Sequence, residues 1–312
     1  MSELFLAITG APAALRELPG RGLIRATGAD RVRFLNGMLT ADVAKLATGA
    51  AAPALQLDRK GHVLADLWVL AEADSLLLDT APGTEAELFA VLEKHIIADD
   101  VALTSLTEGV REFALEGPGA RDAALAIGGA SPPAGHFERA DFAGASVLWL
   151  AEGSVTAEGL RALAPRGIAA ELARALALPP LDEASAEVLR IAAAIPALGR
   201  DVTARNFPQE ARLERAISFQ KGCYVGQEIV ARIASRGAVN RVLVKLRTDA
   251  RVAPGASVTI EGTSVGQVTS SAESLATGAL ALAYLKIEHA HPGQRVAIDA
   301  VGGEVAGGDS RL

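Results

Sequence analysis

Residues 221–228 read KGCYVGQE, and Cys223 within this octapeptide is the only cysteine among the 312 residues of the chain. Gly222 and Gly226 lie on either side of the thiol, and Lys221 precedes it by two residues. A cysteine that only fills space in a core is usually surrounded by aliphatic side chains. The glycine-rich, polar setting therefore makes Cys223 the first candidate for chemistry.

A helix is predicted directly after the motif. The stretch EIVARI (228–233) has apolar residues at helical spacing, and Gly226 is a reasonable cap. The N-terminus of such a helix and the ammonium of Lys221 would both favour the thiolate form of Cys223. These features predict a nucleophile, a metal ligand or a redox sensor. The alternative is a buried cysteine that packs as a small hydrophobic side chain, and the spacing does not exclude it.

The composition indicates an ordinary globular protein of two or three domains. Lys and Arg number 30 against 37 Asp and Glu, and without a basic cluster this net charge of −7 argues against direct binding of nucleic acid. One thiol excludes an intramolecular disulfide and falls short of the roughly four ligands of an iron–sulfur cluster. The five histidines are too scattered to predict a metal site. With neither a targeting segment nor an apolar run long enough for a membrane span, we expect a cytoplasmic protein that does not contact membranes.

The order of predicted elements indicates the α+β class. Strands, a hairpin with the turn DRKG (58–61) and a helix over 83–97 precede a second unit that begins near Arg111. After about residue 238, short alternating segments separated by glycines predict a small antiparallel β-barrel or sandwich. Arg190, Asp201 and Glu210 could line a polar cleft, although charged residues in such segments are usually solvated.

The octapeptide is a specific match to the signature of the YgfZ family, which comprises folate-binding relatives of the glycine-cleavage T-protein (aminomethyltransferase). The similarity is not confined to the motif and spans most of the chain. The further segments that resemble this superfamily are GADRVRFLNGMLTADVAKL (28–46), KGHVLADLWV (60–69), EGPGARDAAL (116–125), IPALGRD (195–201), FPQE (207–210) and SVGQVTSS (264–271).

This resemblance implies a three-lobed, T-protein-like fold with a folate cavity at its centre and a β-barrel at its C-terminus. It implies a discontinuous folate-binding domain formed by residues 1–109 and 182–238. Residues 110–181 would form an α/β domain, and residues 239–312 would form the barrel.

The resemblance also implies a function. Members of the YgfZ family assist the assembly or repair of iron–sulfur enzymes, especially those with [4Fe–4S] clusters, including enzymes that modify tRNA. We therefore expect tetrahydrofolate or a one-carbon derivative as the cofactor, and iron–sulfur client proteins as partners. Lys221 and Cys223 would be the functional pair. The other motif candidates are Gly222, Tyr224, Gly226, Gln227, Glu228 and Arg232, and the candidate folate contacts are Asn36, Asp66, Arg190 and Glu210.

Two departures from the T-protein pattern bear on the mechanism. Where the T-protein hairpin has paired aspartates, this chain has Ala65 and Asp66, so only one aspartate of the pair is present. The glutamate that reads the pterin ring is replaced by Ala192. The lost acceptor would have contributed about 1.5–3 kcal/mol to the binding free energy of a pterin. Folate binding is therefore expected to be weaker unless another carboxylate, such as Glu210, takes its place. Two alternatives therefore stay open: a tetrahydrofolate-dependent one-carbon transferase, and a protein-interaction module with a vestigial pocket. The sequence names neither the client, the folate species nor the oligomeric state.

Overall fold

The structure is a computed structural model that describes residues 1–237 and 239–307. Its helices are α1 (Ser2–Thr9), α2 (Arg31–Met38), α3 (Glu85–His95), α4 (Ala120–Ala126), α5 (Arg166–Leu176), α6 (Glu183–Ala192) and α7 (Gln227–Arg236). Its strands are β1 (Ala14–Glu17), β2 (Gly22–Thr27), β3 (Ala51–Leu57), β4 (Val63–Ala71), β5 (Leu76–Thr80), β6 (Ala102–Ser105), β7 (Val110–Glu116), β8 (Phe137–Phe142), β9 (Ala145–Leu150), β10 (Leu160–Pro165), β11 (Arg241–Thr248), β12 (Ser257–Ile260), β13 (Thr263–Ser274), β14 (Gly278–Lys286), β15 (Arg295–Ile298) and β16 (Val301–Val305). Helices and antiparallel sheets in this order confirm the predicted α+β class.

The first sheet has the strand order β3-β4-β5-β2-β6. Its β3–β4 hairpin turns at DRKG as predicted, because the Asp58 carboxylate accepts the backbone N–H groups of Lys60 and His62, both at 2.8 Å. Helices α2 and α3 cover one face of the sheet and bury Leu35 and Leu88 against it. The opposite face is free to pack on a second layer.

The second sheet has the order β1-β7-β10-β9-β8, and helices α4 and α5 cover its outer face. Strand β1 lies inside the range predicted for the first domain, yet it pairs with β7, where Ala14 faces Glu116. The chain therefore contributes an edge strand to the second sheet before it enters the first one. The predicted domain bounds otherwise stay a prediction.

The two sheets pack face to face. Apolar side chains of both sheets, including Trp68, Leu77 and Leu148, form a shared core. Beside this core, the Nη1 of Arg161 on β10 donates to Asp79 on β5 and to Glu112 on β7, the latter at 2.9 Å. A buried ion cluster thus joins the sheets, since Asp79 is fully buried and Arg161 is 2 % exposed.

The C-terminal domain is a closed six-stranded barrel with the order β11-β14-β13-β12-β15-β16. Strand β16 closes the barrel by pairing with both β11 and β15. Helix α6 packs against the barrel through Ile191 and Leu282, which are both fully buried. The closed barrel confirms the prediction for residues after about 238. None of the helices in the described part of the chain is long and apolar enough to cross a membrane.

A buried glutamate shapes one wall of the space between the sheets. Glu116, at the end of β7, is fully buried and accepts hydrogen bonds from the loop 154–156. One carboxylate oxygen accepts the N–H groups of Ser154 and Val155 at 2.5 and 3.0 Å, and the other accepts the N–H of Thr156 at 3.0 Å. The hydroxyls of Ser154 and Thr156 also donate to it, each at 2.6 Å. Five donors converge on Glu116, so the loop depends on a side chain that only accepts hydrogen bonds.

Glu116→Gln should therefore lower the free energy of unfolding by about 2–4 kcal/mol, because its amide N–H₂ would face N–H donors in a buried site. Urea denaturation measures this change. Glu108→Gln is the matched control, since the Glu108 side chain is 94 % exposed. Equal stability of the two variants would contradict the role given to Glu116.

Candidate functional site

A cavity of about 540 Å³ lies between the two sheets, α6 and the segment that follows α6. This volume is within the range of small-molecule sites. Its lining is rich in arginine and also holds carboxylates. The arginines are Arg16, Arg21, Arg161, Arg190, Arg200 and Arg215, and the acidic residues are Asp66, Glu152, Glu183 and Glu187. Such a lining suits a ligand that carries polar and acidic groups.

Asp66 and Trp68 reach the cavity from the same face of β4, because alternate residues of a strand point to one side. No hydrogen bond from the residues that the structure describes reaches the Asp66 carboxyl group. Burial raises the pKa of Asp66, although the charges of Arg21, Arg215 and Arg161 oppose that shift. The Asp66 carboxyl group is therefore available to form a hydrogen bond with a ligand.

Arg190 lines the cavity, but its guanidinium is largely committed to the fold. Its Nε and Nη2 donate to Glu187 at 2.8 and 2.7 Å, and its Nη1 donates to Asp201 at 2.7 Å. Nη2 also donates to Ser270 of the barrel at 2.9 Å. Arg190 therefore links α6, the loop after it and the barrel.

Two carboxylates of α6 line the cavity, Glu183 and Glu187, and neither was among the predicted site residues. Ala192 is buried and is not among the cavity-lining residues. The signal for Glu187 was helical spacing, because Glu183, Glu187 and Arg190 lie three or four residues apart on one face. Glu187 thus places an acidic group in the cavity wall even though position 192 lacks one.

Two predicted folate contacts lie elsewhere. Glu210 is buried outside the cavity lining, where it accepts from Arg241 at 3.0 Å and from the backbone N–H of Phe207 at 3.2 Å. Asn36 is also outside the lining, and its side chain accepts the N–H of Ala44 at 3.3 Å. The suggestion that Glu210 replaces the pterin-reading glutamate is therefore wrong for this geometry, because the fold pairs Glu210 with Arg241 instead.

Trp68, Arg161 and Arg215 are cavity residues that no sequence pattern indicated. The guanidinium of Arg161 lies over the Trp68 ring at 5.8 Å from its centre, and that of Arg215 lies at 6.0 Å. They come from β4, β10 and the segment before the cysteine motif, so only the packing of the sheets brings them together. The Trp68 indole, with these two guanidinium groups near its ring, offers an aromatic surface suited to a flat polar ring.

The cysteine loop has the local structure that was predicted. Helix α7 begins at Gln227, and its N-cap Gly226 has a φ of 83°, which favours glycine. A Cβ at position 226 would lie 2.6 Å from the carbonyl oxygen of Asp58, so the loop packs tightly on the β3–β4 turn. Cys223 is exposed, which excludes the buried-core alternative in this structure.

The other motif residues adjoin Cys223 in the chain and differ in their burial. Tyr224 is buried, and its carbonyl accepts the N–H of Gln227 at 3.2 Å. Gly222, Glu228 and Arg232 are exposed. None of the predicted motif residues lines the cavity, so within the described chain the thiol and the cavity are separate features.

Lys221 is buried and anchors the loop. Its ammonium donates to three backbone carbonyls at the C-terminal end of α2, those of Asn36 at 2.5 Å, Leu39 at 2.8 Å and Ala41 at 2.6 Å. These bonds use all three of its N–H donors. Burial lowers the pKa of Lys221 to about 8. Activation of the thiol by Lys221 stays a prediction, and the observed bonds give the lysine a positioning role.

Comparisons with known proteins agree with this architecture. The family model of the GCVT N-terminal domain matches residues 12–221, and that of the glycine cleavage T-protein C-terminal barrel domain matches residues 241–307. The crystal structure of the glycine cleavage system aminomethyltransferase T from Bartonella henselae is similar with a TM-score of 0.88. That similarity covers 98 % of this chain and 88 % of the other, at 22 % sequence identity.

Two curated relatives have comparable similarity in sequence. The putative transferase At1g60990, chloroplastic, of Arabidopsis thaliana is 29 % identical over 92 % of this chain and 67 % of its own length. The tRNA-modifying protein YgfZ of Yersinia enterocolitica is 28 % identical over 80 % of this chain and 76 % of its own length. The fold is thus that of the aminomethyltransferase class, which confirms the predicted T-protein-like architecture. The chain belongs to the family of the GCVT N-terminal domain, and its similarity to YgfZ proteins supports the family that the motif at 221–228 implied.

Lys221→Met should lower the free energy of unfolding by at least about 2 kcal/mol, because three backbone carbonyls lose the hydrogen bonds that the buried ammonium donates. Urea denaturation measures the change, and limited proteolysis should show earlier cleavage near the cysteine loop. Lys60→Met, at an exposed position of the β3–β4 turn, is the control. Unchanged stability of Lys221→Met would remove the anchoring role.

The pKa of Glu187 lies below its ordinary value. Burial raises it, but the hydrogen bond from Arg190 and the charges of Arg190 and Arg200 outweigh that effect. A carboxyl group with a lowered pKa contributes stability near neutral pH that is lost as the pH falls and the folded state must take up its proton. The unfolding free energy of wild type should therefore fall more steeply between about pH 5 and 3 than that of Glu187→Gln. Parallel pH profiles would contradict this, and exposed Glu87→Gln should follow wild type.

Proposed function

We propose that this protein binds tetrahydrofolate or a one-carbon derivative in the cavity. We further propose that it assists the assembly or repair of iron–sulfur enzymes through Cys223. The observation that carries the proposal is the exposed single thiol, held on an anchored loop of a T-protein-like fold. A thiol in this position is able to meet a cluster or a substrate on another protein.

The residues of the cavity fit a reduced folate. A pterin ring offers N–H donors and a carbonyl acceptor, and the unpartnered carboxyl group of Asp66 complements the N–H donors. Trp68 offers a flat apolar face for the ring, and the arginine-rich lining complements the carboxylates of a glutamate tail. When bound, a folate would supply a carrier for a one-carbon unit. Asp66, Glu187 and Arg215 would bind and orient the ligand.

The cluster in this proposal is a substrate held by the client. Among residues 1–237 and 239–307, no group of three histidine, cysteine or acidic side chains could hold a metal ion. Cys223 would thus act on a cluster that its partner carries, as a nucleophile, a transient ligand or a redox group. The relative from Yersinia is named a tRNA-modifying protein, which supports clients among iron–sulfur enzymes that modify tRNA. A cytoplasmic location without direct contact to nucleic acid remains part of the proposal.

Cys223→Ser should fail to restore the activity of a [4Fe–4S] enzyme under oxidative stress in a host that lacks its own copy of this gene. Wild type should restore it, because only the thiol can ligate iron or attack as a soft nucleophile. Gln220→Ser introduces the same side chain at an exposed position of the same loop and should behave as wild type. Equal rescue by Cys223→Ser would show that the thiol is incidental.

One observation favours the alternative of a folate-dependent one-carbon transferase. Asp66 lies in the cavity with an unpartnered carboxyl group, and a relative is named a putative transferase. Consumption of an aminomethylated lipoyl carrier in the presence of tetrahydrofolate, abolished by Asp66→Asn, would establish that function. Cluster repair that persists without any folate binding would instead favour an interaction module with a vestigial pocket.

A further inference from the structure

Arg161 combines deep burial with a place in the cavity wall. It lies in β10, between β7 and β9 of the second sheet, and only 2 % of its surface is exposed. It also lines the cavity, where its guanidinium lies over the ring of Trp68 at 5.8 Å from the ring centre. An arginine is rarely buried to this extent unless its donors are all occupied.

Only part of the Arg161 guanidinium is occupied. Its Nη1 donates to both Asp79 and Glu112. Its Nε and Nη2 are buried and have no hydrogen-bond partner among the residues that the structure describes. Of the six arginines that line the cavity, Arg161 is the one with such unpartnered buried donors in the described chain.

The neighbouring Arg21 shows that the vacancy is specific to Arg161. Arg21 belongs to the same ion cluster, but its Nε and Nη2 both donate to Asp79, at 2.9 and 2.8 Å. The same edge of Arg161, formed by Nε and Nη2, has no hydrogen-bond partner in the described chain. This edge is the fork with which guanidinium groups bind carboxylates or carbonyl oxygens.

A buried donor without a partner destabilises the folded protein, typically by about 1–3 kcal/mol. Two such donors on one side chain therefore indicate a place where a partner is supplied from outside the chain. Neither a hydrophobic ligand nor a cation would satisfy them, because both donors require an oxygen or nitrogen acceptor.

We propose that the Nε–Nη2 edge of Arg161 recognises an oxygen acceptor of the ligand that enters the cavity. The inference deepens the proposed folate function and rests on it for the identity of the ligand. A folate offers this chemistry at two places, the carbonyl of its pterin ring and the carboxylates of its glutamate tail. Arg161 would then be the residue that selects ligands with such an oxygen and sets which end enters first.

The test compares ligands that differ in their acceptors, with binding followed by calorimetry. Folic acid and aminopterin differ in one group, since aminopterin carries an amino group in place of the pterin carbonyl. p-Aminobenzoylglutamate supplies the tail alone, and benzoate supplies a simple carboxylate. Arg161→Lys keeps a cation beside Asp79 and Glu112 but removes the fork. Arg21→Lys perturbs the same ion cluster and controls for that disturbance.

Arg161→Lys should weaken the binding of folic acid about tenfold to a hundredfold. Arg21→Lys should change the affinity for every ligand by a similar factor. If the pterin carbonyl is the acceptor, aminopterin binding should be unaffected by Arg161→Lys. If a tail carboxylate is the acceptor, Arg161→Lys should weaken the binding of aminopterin and p-aminobenzoylglutamate by the same factor as that of folic acid. Either pattern supports the proposal and identifies the source of the oxygen.

Unchanged affinity of Arg161→Lys for every ligand would overturn the role of Arg161 while leaving folate binding intact. Binding of benzoate but of no folate by wild type, with loss in Arg161→Lys, would support the acceptor site and defeat the proposed folate function. Binding of none of the probes by wild type would defeat both. A measurement on wild type guards against a variant that does not fold: the Arg161 Nε–H resonance should shift on saturation with ligand, and an unshifted resonance overturns the proposal.

Discussion

The architecture depends on the buried ion cluster that joins the two sheets. Asp79 on β5 and Glu112 on β7 come from different sheets, and Arg21 and Arg161 bridge them. Charges taken out of water destabilise a fold unless each finds a partner, so the cluster requires the sheets to meet in one register. The cavity lies beside this junction, and its Asp66, Trp68 and Arg161 hold their relative positions because the sheets are joined there.

The chain keeps its ligand cavity and its thiol in different places, and connects them through the backbone. Arg215 lines the cavity and lies only a few residues before the motif, whereas Lys221 fastens that segment to the end of α2. The exposed Cys223 is thus presented from a rigid support. Such an arrangement would suit the proposed function, in which the thiol meets a partner protein and the cavity separately binds a folate.

Much of the local structure could be predicted. The DRKG turn, the helix after the motif and the strands of the barrel follow from turn residues, capping and periodicity within a few positions. The place of β1 could not be predicted, because its partner β7 lies about a hundred residues away and either sheet could accept an apolar strand. Helical spacing could have placed Glu187 on the same face of α6 as Arg190, but nothing in the sequence indicated which face of α6 meets the cavity.

The sequence by itself determined the family, through an octapeptide whose residues adjoin one another, and the helix that begins at Gln227, because helix signals are local. Tertiary structure alone decided the tasks of the charged side chains. Lys221 proved to donate to carbonyls about 180 residues away, Glu210 to pair with Arg241, and Arg161 to line the cavity with two of its three donor nitrogens unpartnered in the described chain. The physical reason is that the role of a charged group depends on the partners that the packed chain brings within about 3 Å of it. Those contacts are not encoded in any short stretch of sequence.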